Sequence, residues 1–276
     1  MTDSLSDRER QRYARNLLIK EWSGEKKQLL LKNSKVLVVG AGGSGSPLLY
    51  YLTTAGVGTI IIADGDVLDI SNLNRQILHN EEKVGKNKAL SAQSTLTKLN
   101  SDISIVAHPY HVTDENIAEY ADDCDLICCA ADERNNRSAY KVLNRFSKDT
   151  QTPLSWAGGC YMGGFVTFIQ PPTTPCMECF LKYSDESVQL IRDGKVERTK
   201  DMAKLTDGPN PVLGAATGVA GSMQAMEAIK YLAGFGKNLW NKMLLFQMGD
   251  EMCFNTYDIS KHRKDECPYC SVNTRL

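Results

Sequence analysis

An α/β fold, built on a mixed, mainly parallel sheet flanked by helices, is what three observations predict. The run VLVVGAGGSGS at 36–46 has the form of a buried strand entering a glycine-rich turn that opens a helix. A second apolar run, IIIADGD at 60–66, ends in Asp64 and Asp66 about twenty residues beyond that turn, where a ribose-binding acid is expected. Helical and strand-like segments then alternate, the succession that gives a parallel sheet covered by helices. Together they make the fold Rossmann-like.

Taken in order, residues 6–31 read as a helical arm, 35–40 as a strand and 44–55 as a helix. A strand at 58–63, a helix near 85–99 and a strand near 103–108 follow, and then the apolar run DLICCA at 125–130. Beyond Pro153 the pattern changes. WAGGCYMGGFVTFIQPP reads as glycine-permitted strands, 181–210 as a polar stretch with a long mobile loop, and GVAGSMQAMEAIKYLAG at 218–234 as a small-residue helix. LLFQMGDEMCFNTYDI at 244–259 looks like strand and turn. The expected organisation is one domain over 1–276. It comprises an arm (1–31), a nucleotide-binding half (32–150) and a substrate-binding half (151–276) that carries C-terminal metal knuckles.

With 276 residues, 42% of them hydrophobic, the chain can bury a sizeable core. Its 32 basic and 33 acidic side chains leave a net charge of −1, which offers no electrostatic case for nucleic acid or a membrane surface. The opening MTDSLSDRERQRYARN is polar and no long uncharged apolar run occurs, so a cytoplasmic location is the expectation.

Gly40, Gly42, Gly43 and Gly45 let the backbone approach a phosphate, whose charge would sit against the N–H groups of the following helix start. The spacing departs from the usual dinucleotide fingerprint in having glycine at the fourth position. Asp66, two residues after Asp64, adds a carboxylate that could divide the work between ribose and a cation. Next comes NLNRQ, with Asn72, Asn74, Arg75 and Gln76, followed by VGKNKA with Lys86 and Lys88. Arg75 and Lys88 could neutralise a polyphosphate during transfer to a carboxylate, for which hydride transfer has no comparable need. Asp132 follows the apolar run at the carboxyl edge of a parallel strand, where a magnesium ion could be held against nucleotide phosphates. Cys128 and Cys129, inside that run, read as core. On the arm, Arg12 and Arg15 lie on neighbouring helix positions, and either could supply an arginine finger.

Of nine cysteines, four stand out by spacing. Cys176 and Cys179 form one CxxC knuckle, Cys267 and Cys270 a second, and together they supply the four thiolates of a closed, structural zinc site. Such a zinc would tie the C-terminal stretch to the middle of the chain.

RQRYARN, GAGGSGS, DGD, NLNRQ, VGKNKA, AADERNNR, CMEC, GSMQAMEAIKYL and CPYC occur in that order over roughly residues 6–272. The ordered set resembles the bacterial MoeB/ThiF family, whose members are similar to ubiquitin-activating enzymes and adenylate the C-terminal carboxylate of small ubiquitin-like sulfur carriers. The resemblance implies an adenylyltransferase: a homodimer using ATP and magnesium, with zinc on the four knuckle cysteines. It makes Asp64 a ribose or adenosine contact, Arg75 and Lys88 phosphate contacts and Asp132 the magnesium ligand. Arg15 becomes a finger reaching into the partner subunit, and Gln76 lies beside Arg75 in the same pocket, with Asn74 from the same motif. A sulfur-donor protein or an amine would consume the activated carboxylate, and 181–210 would guide the carrier tail. Two departures stand out. Ala130-Ala131-Asp132-Glu133 replaces the frequent CTDN, and residues 180–220 contain no cysteine for a covalent link. Adenylation of a small or peptide carboxylate for another modification is the alternative. An NAD-dependent oxidoreductase and a noncatalytic zinc protein leave the second acid and the Arg75/Lys88 pair unexplained.

Overall fold

The apolar runs at the start of the chain are buried on both faces because they become neighbouring parallel strands with helices above and below. In the computed structural model, which describes residues 4–131, 138–180, 211–249, 252–262 and 267, β1 (Lys35–Val39) lies between β2 (Thr59–Ala63) and β4 (Leu126–Cys129). Side chains alternate across the sheet. Val36 and Val38, Ile60 and Ile62, Leu126 and Cys128 enter one core, and Leu37 and Val39, Ile61 and Ala63, Ile127 and Cys129 enter the other. Truncating one of these leucines to alanine would cost about 2–5 kcal/mol.

The sheet has eight strands in the order β3-β2-β1-β4-β5-β6-β7-β8. β3 (Ser104–His108) and β5 (Leu154–Cys160) complete a parallel set of five. β6 (Gly163–Ile169), β7 (Lys242–Gln247) and β8 (Cys253–Asp258) then continue antiparallel. The change of sense falls after β5, at the turn into β6, one strand beyond the Pro153 boundary expected from the sequence. β8 forms one edge of the sheet, opposite β3, and is exposed along its length.

The first core lies under α3 (Glu25–Lys32), α4 (Gly45–Ala55), α5 (Lys88–Leu99) and the long α8 (Gly214–Ala233). The second lies under α6 (Ile117–Ala121) and α7 (Ser138–Thr150). These last two helices were not anticipated. The arm is not one helix: α1 (Asp7–Arg12) and α2 (Ala14–Leu17) precede a 3₁₀ turn at Lys20–Trp22, and α3 starts afresh after it. The break falls where Ser23 and Gly24 take left-handed φ of 53° and 64°, a conformation a continuous helix cannot hold. The helix expected from 85 begins at Lys88, because Gly85 has φ 84° and Asn87 caps the helix with its side chain. Among the described residues no helix is long and apolar enough to cross a membrane. Asp132, Cys270 and the 181–210 segment lie outside the described residues.

Candidate active site

β1 is the strand from which the parallel set runs outward in both directions, and the point beyond the carboxyl end of such a strand is where sheets of this kind bind ligands. The glycine turn occupies this point. Gly40 has φ 98°, and a Cβ there would lie 2.8 Å from the Ala131 nitrogen and 2.9 Å from the Ala130 carbonyl carbon. Only glycine permits that conformation together with that approach to the end of β4. A Cβ on Gly45 would run into the Gly40 carbonyl, so the turn closes tightly as it enters α4. Gly42 faces the Gln76 amide, and Gly43 faces Thr217 in the first turn of α8.

Ala41, inside the turn, is held from two sides. Its N–H donates to Asp64 Oδ2 at 2.7 Å, and its carbonyl meets His79 Nε2 at 2.9 Å. Asp64 Oδ1 accepts the Asp66 N–H at 2.9 Å. Burial pushes the Asp64 carboxyl above its usual range, opposed by the Ala41 and Asp66 N–H groups and by Lys88. Asp64 therefore braces the turn. An ionised carboxylate has about four acceptor positions, so lone pairs remain for a ligand hydroxyl.

Asp66 is exposed, and its Oδ2 pairs with Lys88 Nζ at 2.8 Å. Lys88 is the first residue of α5 and its side chain is nearly buried. A cation at a helix N-terminus sits in the positive end of the helix dipole, an arrangement that disfavours the helix and favours an anion. Asn87 secures this corner, its Nδ2 donating to the Asp64 carbonyl at 2.8 Å and the Asp66 carbonyl at 3.2 Å. Lys86, by contrast, is exposed.

Arg75 and Gln76 leave a 3₁₀ turn at Ile70–Asn72 that is capped reciprocally by Asp69 and Asn72. Arg75 Nη1 donates to the Ser71 carbonyl at 3.2 Å and to Asn74 Oδ1 at 3.0 Å, and the Asn74 carbonyl packs against Gly214 at the start of α8. Gln76 is buried, and its Oε1 has no hydrogen-bond partner among the described residues. Leaving such an oxygen unsatisfied costs about 1–3 kcal/mol, so a polar ligand in this pocket would relieve it.

Contacts thus link the glycine turn to Asp64, Asp66, Lys88 and Gln76, while Asn74 and Arg75 lie against Gly214 at the start of α8, three residues before the Thr217 that Gly43 faces. Arg15 is not among them: it is exposed on α2, and no described residue of its own chain pairs with it. Arg12 is committed elsewhere, its Nε 2.9 Å from Asp102 Oδ2 and its Nη1 3.2 Å from the Leu99 carbonyl. The arm is fixed through Tyr13, whose hydroxyl accepts from Asn100 Nδ2 at 3.1 Å. Cys128 and Cys129 are fully buried, with burial raising the Cys128 thiol well above its ordinary value. They belong to the core, as expected. His79, Ser91 and Thr217 went unnoticed in the sequence because their role comes from folding, with no spacing to mark them.

The sulfur atoms of Cys176, Cys179 and Cys267 are buried and lie within 4.8 Å of one another, Cys176 and Cys267 at 3.6 Å. With zinc–sulfur bonds near 2.3 Å, the edge of a four-sulfur tetrahedron is about 3.8 Å, so these thiols fit one ion.

A family model described as "ThiF family" matches residues 13–269. The chain is 35% identical over 276 residues to the Aedes aegypti protein "Adenylyltransferase and sulfurtransferase MOCS3", covering 99% of this chain and 58% of that one. To the Candida albicans "Adenylyltransferase and sulfurtransferase UBA4" it is 32% identical over 278 residues, covering 99% and 59%. The chain therefore spans a little over half the length of the curated relatives it matches. Among solved structures, E. coli MccB with ATP superposes with a TM-score of 0.74 at 26% identity, covering 94% of this chain and 74% of that one. The microcin C7 biosynthetic enzyme MccB with N-formylated MccA gives 0.75 at 25% identity, covering 94% and 75%.

Proposed function

The chain belongs to the ThiF family, and we propose that it is an ATP-dependent adenylyltransferase for the C-terminal Gly-Gly carboxylate of a small ubiquitin-like sulfur-carrier protein. The observation that carries this reading is the glycine turn at the carboxyl end of β1, braced by Asp64, with the Gln76 amide facing Gly42 and Lys88 paired to Asp66 two residues beyond Asp64. Such a site combines a backbone cradle for phosphates with cations placed where charge accumulates in phosphoryl chemistry.

In the proposed reaction a carboxylate oxygen attacks the α-phosphorus of ATP in line. The bond from that phosphorus to the bridging oxygen of the β-phosphate breaks, and pyrophosphate leaves with the electron pair. Lys88 and Arg75 stabilise the charge on the phosphates, and Asp64 takes the ribose while bracing the turn. No general base is needed, because a carboxylic acid of pKa about 4 is already ionised at neutral pH. Asp132 would hold magnesium, which when bound supplies further neutralisation of the phosphates. Cys176, Cys179, Cys267 and Cys270 would hold zinc as a closed structural clamp with no position for substrate. Arg15, exposed and paired with none of the described residues of its own chain, would reach the phosphate site of a partner in a homodimer. A nucleophilic sulfur presented by a donor protein would then attack the acyl carbon, and AMP would leave with the electron pair of the broken C–O bond. With no cysteine at 180–220, a covalent link from that segment plays no part.

A second reading, adenylation of a peptide carboxylate for another modification, is favoured by the likeness to E. coli MccB bound to MccA. Pyrophosphate exchange into ATP separates the two readings. Exchange that depends on a Gly-Gly carrier supports the first, exchange that depends only on peptides or small acids supports the second, and exchange with none of them refutes both.

A further inference from the structure

His79 is a buried titratable group that the adenylation reading leaves unused. It is 8% exposed, and both ring nitrogens are engaged: Nδ1 lies 2.7 Å from Ser91 Oγ and Nε2 lies 2.9 Å from the Ala41 carbonyl. A carbonyl can only accept, so Nε2 carries the proton and Nδ1 takes the Ser91 hydroxyl hydrogen. Burial lowers the imidazole pKa, which keeps this neutral form at neutral pH.

The partners of the ring matter more than its burial. Ala41 is the residue of the glycine turn whose N–H is already held by Asp64. Ser91 stands one turn after Lys88 on α5. His79 itself closes the turn that begins at Gln76, the residue after Arg75, its N–H donating to the Gln76 carbonyl at 3.1 Å. Around it, Lys83 Nζ donates to the Ser91 carbonyl at 2.9 Å and to Thr95 Oγ1 at 2.6 Å, and Thr95 Oγ1 lies 3.1 Å from the Leu78 carbonyl. One imidazole thus joins the three segments that carry the phosphate contacts: the glycine turn, the Arg75–Gln76 turn and the first turns of α5.

We propose that His79 is a positioning residue for nucleotide binding, acting through the Ala41 carbonyl to hold the glycine turn in register with Lys88 and Arg75. The inference rests on the reading of the glycine turn as a nucleotide site. Its consequence is specific: losing the Nε2–H donor frees the turn on one side while leaving every phosphate contact chemically intact. Ground-state affinity for ATP should fall, whereas recognition of the carboxylate substrate should not.

The test compares His79→Leu, which fills the space without polar atoms, with His79→Gln, whose amide N–H can reach a position near that of Nε2, and with Ser91→Ala. Calorimetric ATP affinity, KM for ATP and for the carboxylate substrate, melting temperature and zinc content are measured for each. His79→Leu is expected to weaken ATP binding about tenfold, the scale of one hydrogen bond to an otherwise unsatisfied carbonyl. Its KM for the carboxylate should stay unchanged, His79→Gln should recover most of the loss, and Ser91→Ala should fall between. Two results would overturn the proposal: wild-type ATP affinity in His79→Leu whatever its melting temperature, or an affinity as low as that of His79→Leu in His79→Gln or Ser91→Ala folded to the wild-type melting temperature. If the wild type binds ATP but forms no adenylate, the adenylation reading fails, and the affinity series still decides the role of His79.

Discussion

Replacing Lys88 by methionine separates the two jobs a buried cation can do. The Lys88–Asp66 pair spans 2.8 Å, but the Asp66 side chain is 55% exposed. A pair with one arm in water contributes about 0.2–1 kcal/mol, and Asp66 regains its hydration once the ammonium is gone. Methionine keeps most of the aliphatic stem, so little cavity opens. A loss of 1 kcal/mol in a domain of this size lowers the melting temperature by about 2–4 °C. Against this, one preorganised donor at a site of developing charge contributes about 10²–10³ in rate. Lys88→Met should therefore lose two to three orders of magnitude in pyrophosphate exchange while melting within a few degrees of wild type. Exchange rates and thermal denaturation of the same preparation check this. Exchange within tenfold of wild type in a folded variant, or a loss that merely follows unfolding, would refute the assignment of Lys88 to the phosphates.

Arg15→Ala should fold normally and lose adenylation, and mixing it with Asp132→Ala should restore part of the activity, because one hybrid site then has both intact residues. Demonstrated subunit exchange without recovery would place Arg15 outside the partner's site. Elemental analysis should find about one zinc per chain, and Cys176→Ser should lose the metal and loosen the C-terminal region more than it affects ATP affinity. Unchanged zinc content and stability would contradict the thiolate assignment. His79 adds a pH signature. Because its folded pKa is below the unfolded 6.5, the unfolded chain binds the extra proton in the window between the two values. That contribution to stability is present above 6.5 and is lost as pH falls through the folded value. Melting temperature should thus fall on acidification just below 6.5, less steeply in His79→Gln; parallel profiles would contradict it. Asp64, shifted upward, contributes a slope of opposite sign above 3.8, so the difference between variant and wild type is the informative quantity.

The parallel half of the fold was legible because its strands are buried on both faces, so that Val36 to Val39 and Ile60 to Ile62 form unbroken apolar runs. α6 was harder to see, being a five-residue helix between polar turns. The arm misled in one respect. Its helical composition is real, but Ser23 and Gly24 interrupt it through backbone angles that composition does not reveal. Around the glycine turn, the residues whose proposed work is charge or backbone freedom are the ones that type and order mark in the sequence. His79 is not so marked, since its two partners are 38 and 12 residues away in sequence and meet it only in the folded chain. The pairing of Arg12 with Asp102 likewise required the structure, and it leaves Arg15 as the one of the two that pairs with no described residue.

The most direct test of the central claim is the intact mass of the carboxylate substrate after incubation with this protein, ATP and magnesium. A carrier ending in Gly-Gly should gain the mass of AMP less water, in step with pyrophosphate release, and should fail to do so with Lys88→Met. An unmodified carrier, with no adenylate on any peptide or small acid offered in its place, would contradict the account.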